Sequence, residues 1–174
     1  MAVACKWLGF CYNLPASPSK GRVYVWRKLK ELGAVPLRSG MAVLPNRREN
    51  VERFRLLGER VQALQGDFLL IQLEFLSPRD EQQLLQAFEA QAQEDCQRLA
   101  RQLSALGEEP SDPDQVEHQV GQLLREYSKV RRRQAVPTSA WQELENRMAQ
   151  FAQSLGNSAY ALSTRLQQRM DKYL

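Results

Sequence analysis

The stretch Val35-Pro-Leu-Arg-Ser-Gly-Met-Ala-Val-Leu44 contains two short apolar runs on either side of Ser39-Gly40. Ser and Gly favour turns, so the stretch predicts two strands joined by a tight turn. Pro36 has no backbone N–H to donate, which places the first of these strands at an edge of the sheet. Segments with helical patterns lie on both sides of the pair, so the chain combines strands and helices.

A strand and a helix are predicted before this pair. The run from Lys6 to Leu14 is rich in Trp, Phe and Tyr, which is typical of a strand. Ser17-Pro18 then matches an N-cap followed by proline at the first helical position. Apolar residues recur at helical spacing until Gly33, at Val25, Trp26, Leu29 and Leu32. We therefore expect Trp26 to be a core residue, and we expect the same of Trp7.

A second helix and a fourth strand are predicted after the pair. Asn46-Arg-Arg-Glu49 matches a capping box, and an apolar stripe continues to Gly66 at Val51, Phe54, Leu57, Val61 and Leu64. The run from Phe68 to Phe75 is the next strand. The order βαββαβ predicts an α+β, ferredoxin-like head over residues 1–77, with both helices on one face of the sheet.

Residues 78–174 contain no strand pattern and predict an antiparallel all-helical tail. Ser77-Pro-Arg-Asp80 caps a helix that runs to about Leu106, and a polar stretch with two prolines, 107–113, separates it from the next. That next helix has an apolar stripe at Val116, Val120, Leu123, Leu124, Tyr127 and Val130. Two further helices are expected at about 140–155 and 158–173. Four apolar stripes are enough for the tail to form its own bundle.

Basic residues are concentrated in the head. Residues 1–66 carry 12 Lys and Arg against 4 Asp and Glu, a net charge of +8, whereas residues 67–174 carry 12 against 16, a net charge of −4. A domain with an excess of positive charge favours an anionic partner, such as DNA or a small oxyanion. A basic surface that only keeps the head in solution is the alternative explanation.

Topology and charge together predict a site for such an anion. We expect the first and third strands to be adjacent and parallel, so that both following helices begin at one end of the sheet. These beginnings carry Lys20 and Arg22 on one helix, and Arg47 and Arg48 on the other. Cations in a first helical turn oppose the helix dipole, whereas the free N–H groups there attract an anion. Asn13 is expected at the same edge as a neutral hydrogen-bonding group.

Each group of basic residues has two interpretations. Arg27, Lys28 and Lys30 on the first helix add to a nucleic-acid surface with Tyr24 available for stacking, or they form the solvated face of an amphipathic helix. Lys129-Val-Arg-Arg-Arg133 lies at a helix C-terminus, where cations complement the dipole. The four cations at the two helix beginnings have the same alternative, since long side chains can extend into water.

The sequence predicts no catalytic residue, no metal site and no cofactor. His118 has no second His or Cys near it. Cys5, Cys11 and Cys96 have no paired spacing, which argues against a disulfide framework or a zinc site and favours a reducing, cytoplasmic location. No segment approaches the roughly 18 apolar residues of a membrane span, and no membrane partner is expected.

Three segments carry a resemblance to a known family. They are Trp7-Leu-Gly-Phe-Cys-Tyr-Asn-Leu-Pro15, Arg22-Val-Tyr-Val-Trp-Arg-Lys-Leu-Lys-Glu-Leu-Gly-Ala34 and Ser39-Gly-Met-Ala-Val-Leu-Pro45. Together with the strand at Phe68 to Phe75 they resemble the N-terminal domain of the chromate-resistance protein ChrB, over residues 5–90 and more loosely beyond. The resemblance implies a chromate-responsive transcriptional regulator, and hence a regulatory binding protein that acts on nucleic acid or an oxyanion.

Two other functions are retained as alternatives. The head also resembles the middle domain of PaaX-type repressors and a small CRISPR adaptation nuclease, in which an aspartate at the end of the first strand serves metal binding. Asn13 occupies that position here, which weakens the interpretation as a metal-dependent nuclease. The second alternative is a scaffold whose helical tail binds another protein. Exposed sheet edges in such heads are commonly used for dimer formation, so we expect a homodimer.

Overall fold

The computed structural model describes residues 6–17, 19–108 and 113–154, together with residues 164 and 168. These ranges contain four strands and five helices, in the order β1 (Trp7–Asn13), α1 (Lys20–Leu32), β2 (Val35–Arg38), β3 (Met41–Pro45), α2 (Arg48–Ala63), β4 (Asp67–Leu73), α3 (Pro78–Glu108), α4 (Pro113–Arg132) and α5 (Ser139–Ser154). The mixed α+β class predicted from the sequence is confirmed. Cys5 lies outside the described residues, as does the helix expected over 158–173 apart from residues 164 and 168.

All strand pairs of the four-stranded sheet are antiparallel, and the strand order is β2-β3-β1-β4. Trp7, at the beginning of β1, lies opposite Pro45 at the end of β3. The predicted parallel pairing of β1 and β3 is therefore wrong. A helix that connects β1 to β2 allows both to run in one direction, but the tight turn between β2 and β3 then reverses the chain.

The turn between β2 and β3 lies at Ser39-Gly40, as predicted. Gly40 has a φ of 72°, which glycine adopts without the steric cost of a Cβ atom. Its carbonyl oxygen accepts a hydrogen bond of 2.7 Å from the Tyr12 N–H at the end of β1. Pro36 lies on β2 at one edge of the sheet, where its missing N–H removes no bond from an interior ladder.

An aromatic cluster joins α2 to the sheet. The ring of Phe10, which is fully buried on β1, lies 5.1 Å from the ring of Phe54 on α2 and 5.9 Å from that of Phe68 on β4. Gly58 on α2 faces Phe68 so closely that a Cβ atom at position 58 would lie 2.3 Å from the ring. The missing side chain at Gly58 therefore allows α2 to approach β4.

The start of α2 differs from the predicted capping box. The N-cap residue is Arg47, whose side chain makes no capping hydrogen bond, and Glu49 pairs with Arg53. Buried Asn50 holds this turn, because its Nδ2 donates a hydrogen bond of 2.9 Å to the carbonyl oxygen of Pro45. The capping box fails because Asn46 precedes the helix by two residues rather than one.

The first turns of α3 pack against the sheet. Trp7 Nε1 donates a hydrogen bond of 2.9 Å to Glu81 Oε1, and the Trp7 ring stacks on Phe88 with 5.8 Å between centroids. Leu84, on the same side of α3, is buried. The chain accordingly divides into two compact units, Met1–Phe88 and Glu89–Leu174, although α3 itself begins at Pro78 next to the predicted boundary at residue 77.

The second unit is helical in its described part. Ser139 Oγ, at the start of α5, lies 3.1 Å from Glu89 Oε1, and Arg147 Nη2 donates to Ser104 Oγ at 3.0 Å, so α5 follows the direction of α3. α4 runs the opposite way, because Arg133 just after its end contacts Asp95. The core contains Ala92, Cys96, Leu99, Leu103, Val120, Leu123, Leu124, Tyr127, Val130, Trp141, Leu144, Met148 and Ala152. None of the described helices is both long and apolar enough to cross a membrane.

Two buried polar side chains in this unit, Asp95 and Tyr127, have charged hydrogen-bond partners. Asp95 accepts hydrogen bonds from Arg98 at 3.0 Å and from Arg133 Nε at 3.0 Å, and a second contact joins Asp95 to the Arg133 Nη2. Tyr127 donates to Glu145 at 3.0 Å, and burial followed by the charge of Glu145 raises the pKa of Tyr127. The positive charges near the end of α4 are thus used inside the unit.

Candidate functional site

The outward side of α1 exposes aromatic residues. Val25 and Leu29 are buried, whereas Trp26 is 53% exposed and Tyr24 and Val23 are also exposed. Val25 and Leu29 are one helical turn apart and mark the buried side of α1, and Trp26 lies about 100° around the helix from Val25, on the exposed side. The prediction that Trp26 is a core residue is therefore wrong.

Cations flank these aromatic rings. Lys30 Nζ lies 4.7 Å from the centroid of the Trp26 ring, and Lys28 Nζ lies 6.0 Å from that of Tyr24. Arg22 precedes Trp26 by four residues and is therefore its neighbour one helical turn away. The exposed indole ring of Trp26 therefore has one cation over it, Lys30, and a second cationic residue, Arg22, one turn away along the helix.

Most of the α1 cations have no ion-pair partner among the described residues. Lys28 pairs with Glu31, with 2.6 Å between Nζ and Oε2, and this hydrogen bond raises the pKa of Lys28. Lys20, Arg22 and Arg27 are exposed and have no ion-pair partner within the described ranges. The first turn of α1 carries no acidic residue. The positive field of α1 is therefore open to an anion from outside the chain.

Arg47 and Arg48 lie at the other end of the sheet from Lys20 and Arg22. α1 follows the Asn13 end of β1, whereas α2 follows Pro45, which is opposite Trp7 at the beginning of β1. Seven residues of strand separate these ends by about 20 Å. The predicted convergence of the two helix beginnings is therefore wrong, and the structure does not bring the four cations together.

Asn13 is exposed at the end of β1, at the same end of the sheet as the start of α1. Its partner on β4 is Asp67, which is also exposed. A metal-dependent nuclease site supplies a divalent metal ion with more ligands than one carboxylate and one neighbouring amide. Among the described residues there is no group of three His, Cys, Asp or Glu side chains that could hold a metal ion.

The other residues considered in the sequence have contacts within the chain or are buried. His118 is exposed and contacts Gln122, with 2.9 Å between Nε2 atoms. In the run at Lys129–Arg133, Arg131 pairs with Glu145 at 3.3 Å and Arg133 pairs with Asp95. Burial raises the pKa of the Cys96 thiol to about 12, so this cysteine is held in its neutral, unreactive form.

Of the predicted residues, Lys20, Arg22, Arg27 and Lys28 lie on α1, and that they form one surface stays a prediction. Sequence reasoning missed Trp26 as a surface residue, because its apolar side chain was assigned to the same buried stripe as Val25 and Leu29. A surface with an exposed indole and several unpaired cations can stack on a base and neutralise phosphates.

Comparison with known families connects this fold to one of them. The family model described as "Protein ChrB, N-terminal" matches residues 22–168. The chain belongs to the ChrB N-terminal family. The match includes α4 and α5, so the family pattern extends well beyond the residues 5–90 that carry the resemblance most clearly in the sequence. Comparison with curated proteins and with solved structures gave no match.

Proposed function

We propose that this chain is a regulatory protein of chromate resistance that binds nucleic acid through the outward face of α1. Membership of the ChrB N-terminal family supports the link to chromate resistance. The observation that carries the binding function is the exposed Trp26 ring with Lys30 Nζ over it, on a helix whose residues Lys20, Arg22 and Arg27 have no ion-pair partner among the described residues. Transcriptional regulation in the cytoplasm is part of the same proposal.

The fold supports this assignment because α1 is held in place by packing against the rest of the head. α2 packs on β1 and β4, and α1 packs against α2. With the strand order β2-β3-β1-β4, these contacts favour a ferredoxin-like arrangement in which both helices cover one face of the sheet. In that arrangement the buried side of α1 is fixed by Val25 and Leu29, and its opposite side remains available to a partner.

A nucleic acid fits the α1 face better than a small oxyanion does. An oxyanion site requires several donors around one point, and the helix beginnings that were expected to supply them lie at opposite ends of the sheet. A nucleic acid requires charges spread along a path and rings that can stack on bases. The positions from Lys20 to Lys30 span about 15 Å of helix and carry both kinds of group.

The test measures the affinity of a fluorescent oligonucleotide, single-stranded and duplex, for the whole chain and its variants. Trp26→Ala removes the stacking ring, and we expect a loss of about 1–3 kcal/mol, or at least about fivefold in affinity. Trp26→Phe keeps an aromatic ring and should retain part of the affinity that Trp26→Ala loses. Arg22→Gln combined with Arg27→Gln should weaken binding and lower the slope of log affinity against log salt by about 2.

Matched control variants distinguish a binding surface from a general loss of apolar area or charge. Leu85→Ala changes an exposed apolar residue of α3 with 43% exposure, in the same range as that of Trp26. Arg101→Gln removes an exposed cation from α3. Affinity that is the same for the Trp26 and Arg22/Arg27 variants as for these controls would contradict the proposal, as would binding that does not depend on salt.

A further inference from the structure

The two edges of the sheet are built differently. β2 forms one edge and has four residues, among them Pro36 and Arg38, and its pairing with β3 is irregular between these two. A short strand, a proline, a charge and an irregular ladder are all features that prevent an edge from pairing with another strand. The β2 edge is therefore protected against association.

β4 forms the other edge and has only one of these features, a charge at its first residue, Asp67. It has seven residues, five of them apolar and none buried, with Asp67 at its start as the one charge. Leu69 on this strand is 60% exposed. β4 pairs with β1 on one side, and its outer side has no strand partner in the described part of the chain. A long apolar edge of this kind is a template for pairing.

Exposed leucines continue beyond the strand. Leu76, three residues after the end of β4, is fully exposed, and Leu85 in the second turn of α3 is 43% exposed. Both belong to the same compact unit as the strand. The apolar residues that the unit leaves in water are thus found on β4 and after it, as well as on the helices.

We infer that β4 pairs in antiparallel orientation with β4 of a second copy of this chain, which joins two four-stranded sheets into one. With the two-fold axis at Leu70, Leu69 of each copy lies opposite Ile71 of the other, and Leu70 lies opposite Leu70. These are apolar cross-strand pairs of the kind that stabilise a sheet. The strand is therefore complementary to itself.

Charge favours this arrangement over the other ways of pairing two copies. In the antiparallel pair the two Asp67 carboxylates lie at opposite ends of the ladder. In a parallel pair they would lie side by side, which is unfavourable. An antiparallel pair is also closed, because the same residues are used on both copies and the edges that remain are the two protected β2 strands. The assembly that results is a dimer.

The oligomeric state of the whole chain tests this inference. Sedimentation velocity over about 1 to 200 µM should show a mass that rises from the 20.0 kDa of one chain towards twice that value. Leu69→Lys places a charge in the apolar ladder and should raise the dimer dissociation constant at least about tenfold. Because Leu69 is already exposed, the variant should fold as the unmodified chain does.

Leu56→Lys is the matched control, since Leu56 on α2 is 58% exposed and lies outside the sheet. It should leave the dissociation constant unchanged. Hydrogen exchange supplies a second measurement: the β4 amides should become more protected as the concentration rises, while those of β2 should not. A chain that remains monomeric at about 200 µM, or two leucine variants that weaken the dimer equally, would overturn the inference.

Discussion

The chain has two runs of basic residues that look alike in the sequence and differ in the structure. On α1, Lys20, Arg22 and Arg27 have no ion-pair partner in the described ranges, and the same helix exposes the rings of Tyr24 and Trp26. At the end of α4, Arg131 and Arg133 reach buried or half-buried carboxylates. The second run provides charge for the fold, and the first is the one that we propose provides charge for a partner.

The difference depends on the supply of acids rather than on the bases themselves. α1 contains one acidic residue, Glu31, and that residue pairs with Lys28. The helical unit places Asp95 and Glu145 within reach of α4 across a bundle. A count of basic residues therefore says little about binding until the neighbouring carboxylates are known. The predictions below test this separation.

The largest effect is expected at Asp95. Asp95→Ala leaves Arg98 and Arg133 without the buried carboxylate that holds them, and loss of one partner from a buried ion pair costs about 3 kcal/mol. Urea unfolding of the whole chain measures this cost. Glu94→Ala is the control, because Glu94 is the exposed neighbour and has no ion pair within the described ranges. Equal stability of the two variants would show that the buried pair contributes nothing.

A second effect appears at alkaline pH and concerns Cys96. Burial raises the pKa of this thiol from an ordinary value of 9.0 to about 12 in the folded chain. Between these values the unfolded chain has lost the proton while the folded chain keeps it, so the free energy of unfolding must fall as the pH rises. The stability is complete below pH 9.0 and decreases from there towards pH 12.

Unfolding experiments at several pH values with the unmodified chain and with Cys96→Ala isolate this contribution. The variant should lose less stability between neutral and alkaline pH, although the cavity it leaves lowers its stability at every pH. Tyr127 titrates in both proteins with its pKa raised as well, so it cancels in the difference. Parallel curves for the two proteins would mean that Cys96 is not held neutral by burial.

The smallest effect is expected for exposed arginines of the head. Arg55 on α2 pairs with Glu52 at 3.2 Å in an exposed position, and Arg55→Gln should cost about 0.3 kcal/mol. Arg27→Gln on α1 breaks no ion pair and should leave the stability unchanged. Thermal unfolding of both variants at low salt checks the difference. A clear destabilisation by Arg27→Gln would mean that α1 uses its charges for folding after all.

The sequence predicted the elements of the head well because their signals are local. Gly33 ends α1 with a φ of 75°, the turn falls at Ser39-Gly40, and Phe54, Leu57 and Val61 are buried on α2 as their spacing indicates. The family could also be recognised from the sequence, because the segments that resemble it are contiguous runs of residues.

The candidate site was predicted less well because it depends on direction and on distant contacts. The direction of β3 follows from the turn that precedes it, and an error there moved Arg47 and Arg48 to the wrong end of the sheet. The use of Arg133 depends on Asp95, 38 residues away, and no local pattern indicates that contact. That the predicted anion-binding residues on α1 form one binding surface remains a prediction.

The contact between Gly58 and Phe68 restricts which residues these two positions can carry in related sequences. A Cβ atom at position 58 would lie 2.3 Å from the aromatic ring, so the two positions cannot both carry large side chains. We expect family members with alanine or a larger residue at the position of Gly58 to have a smaller side chain in place of Phe68. The two positions, ten residues apart, should therefore change together when ChrB N-terminal sequences are aligned.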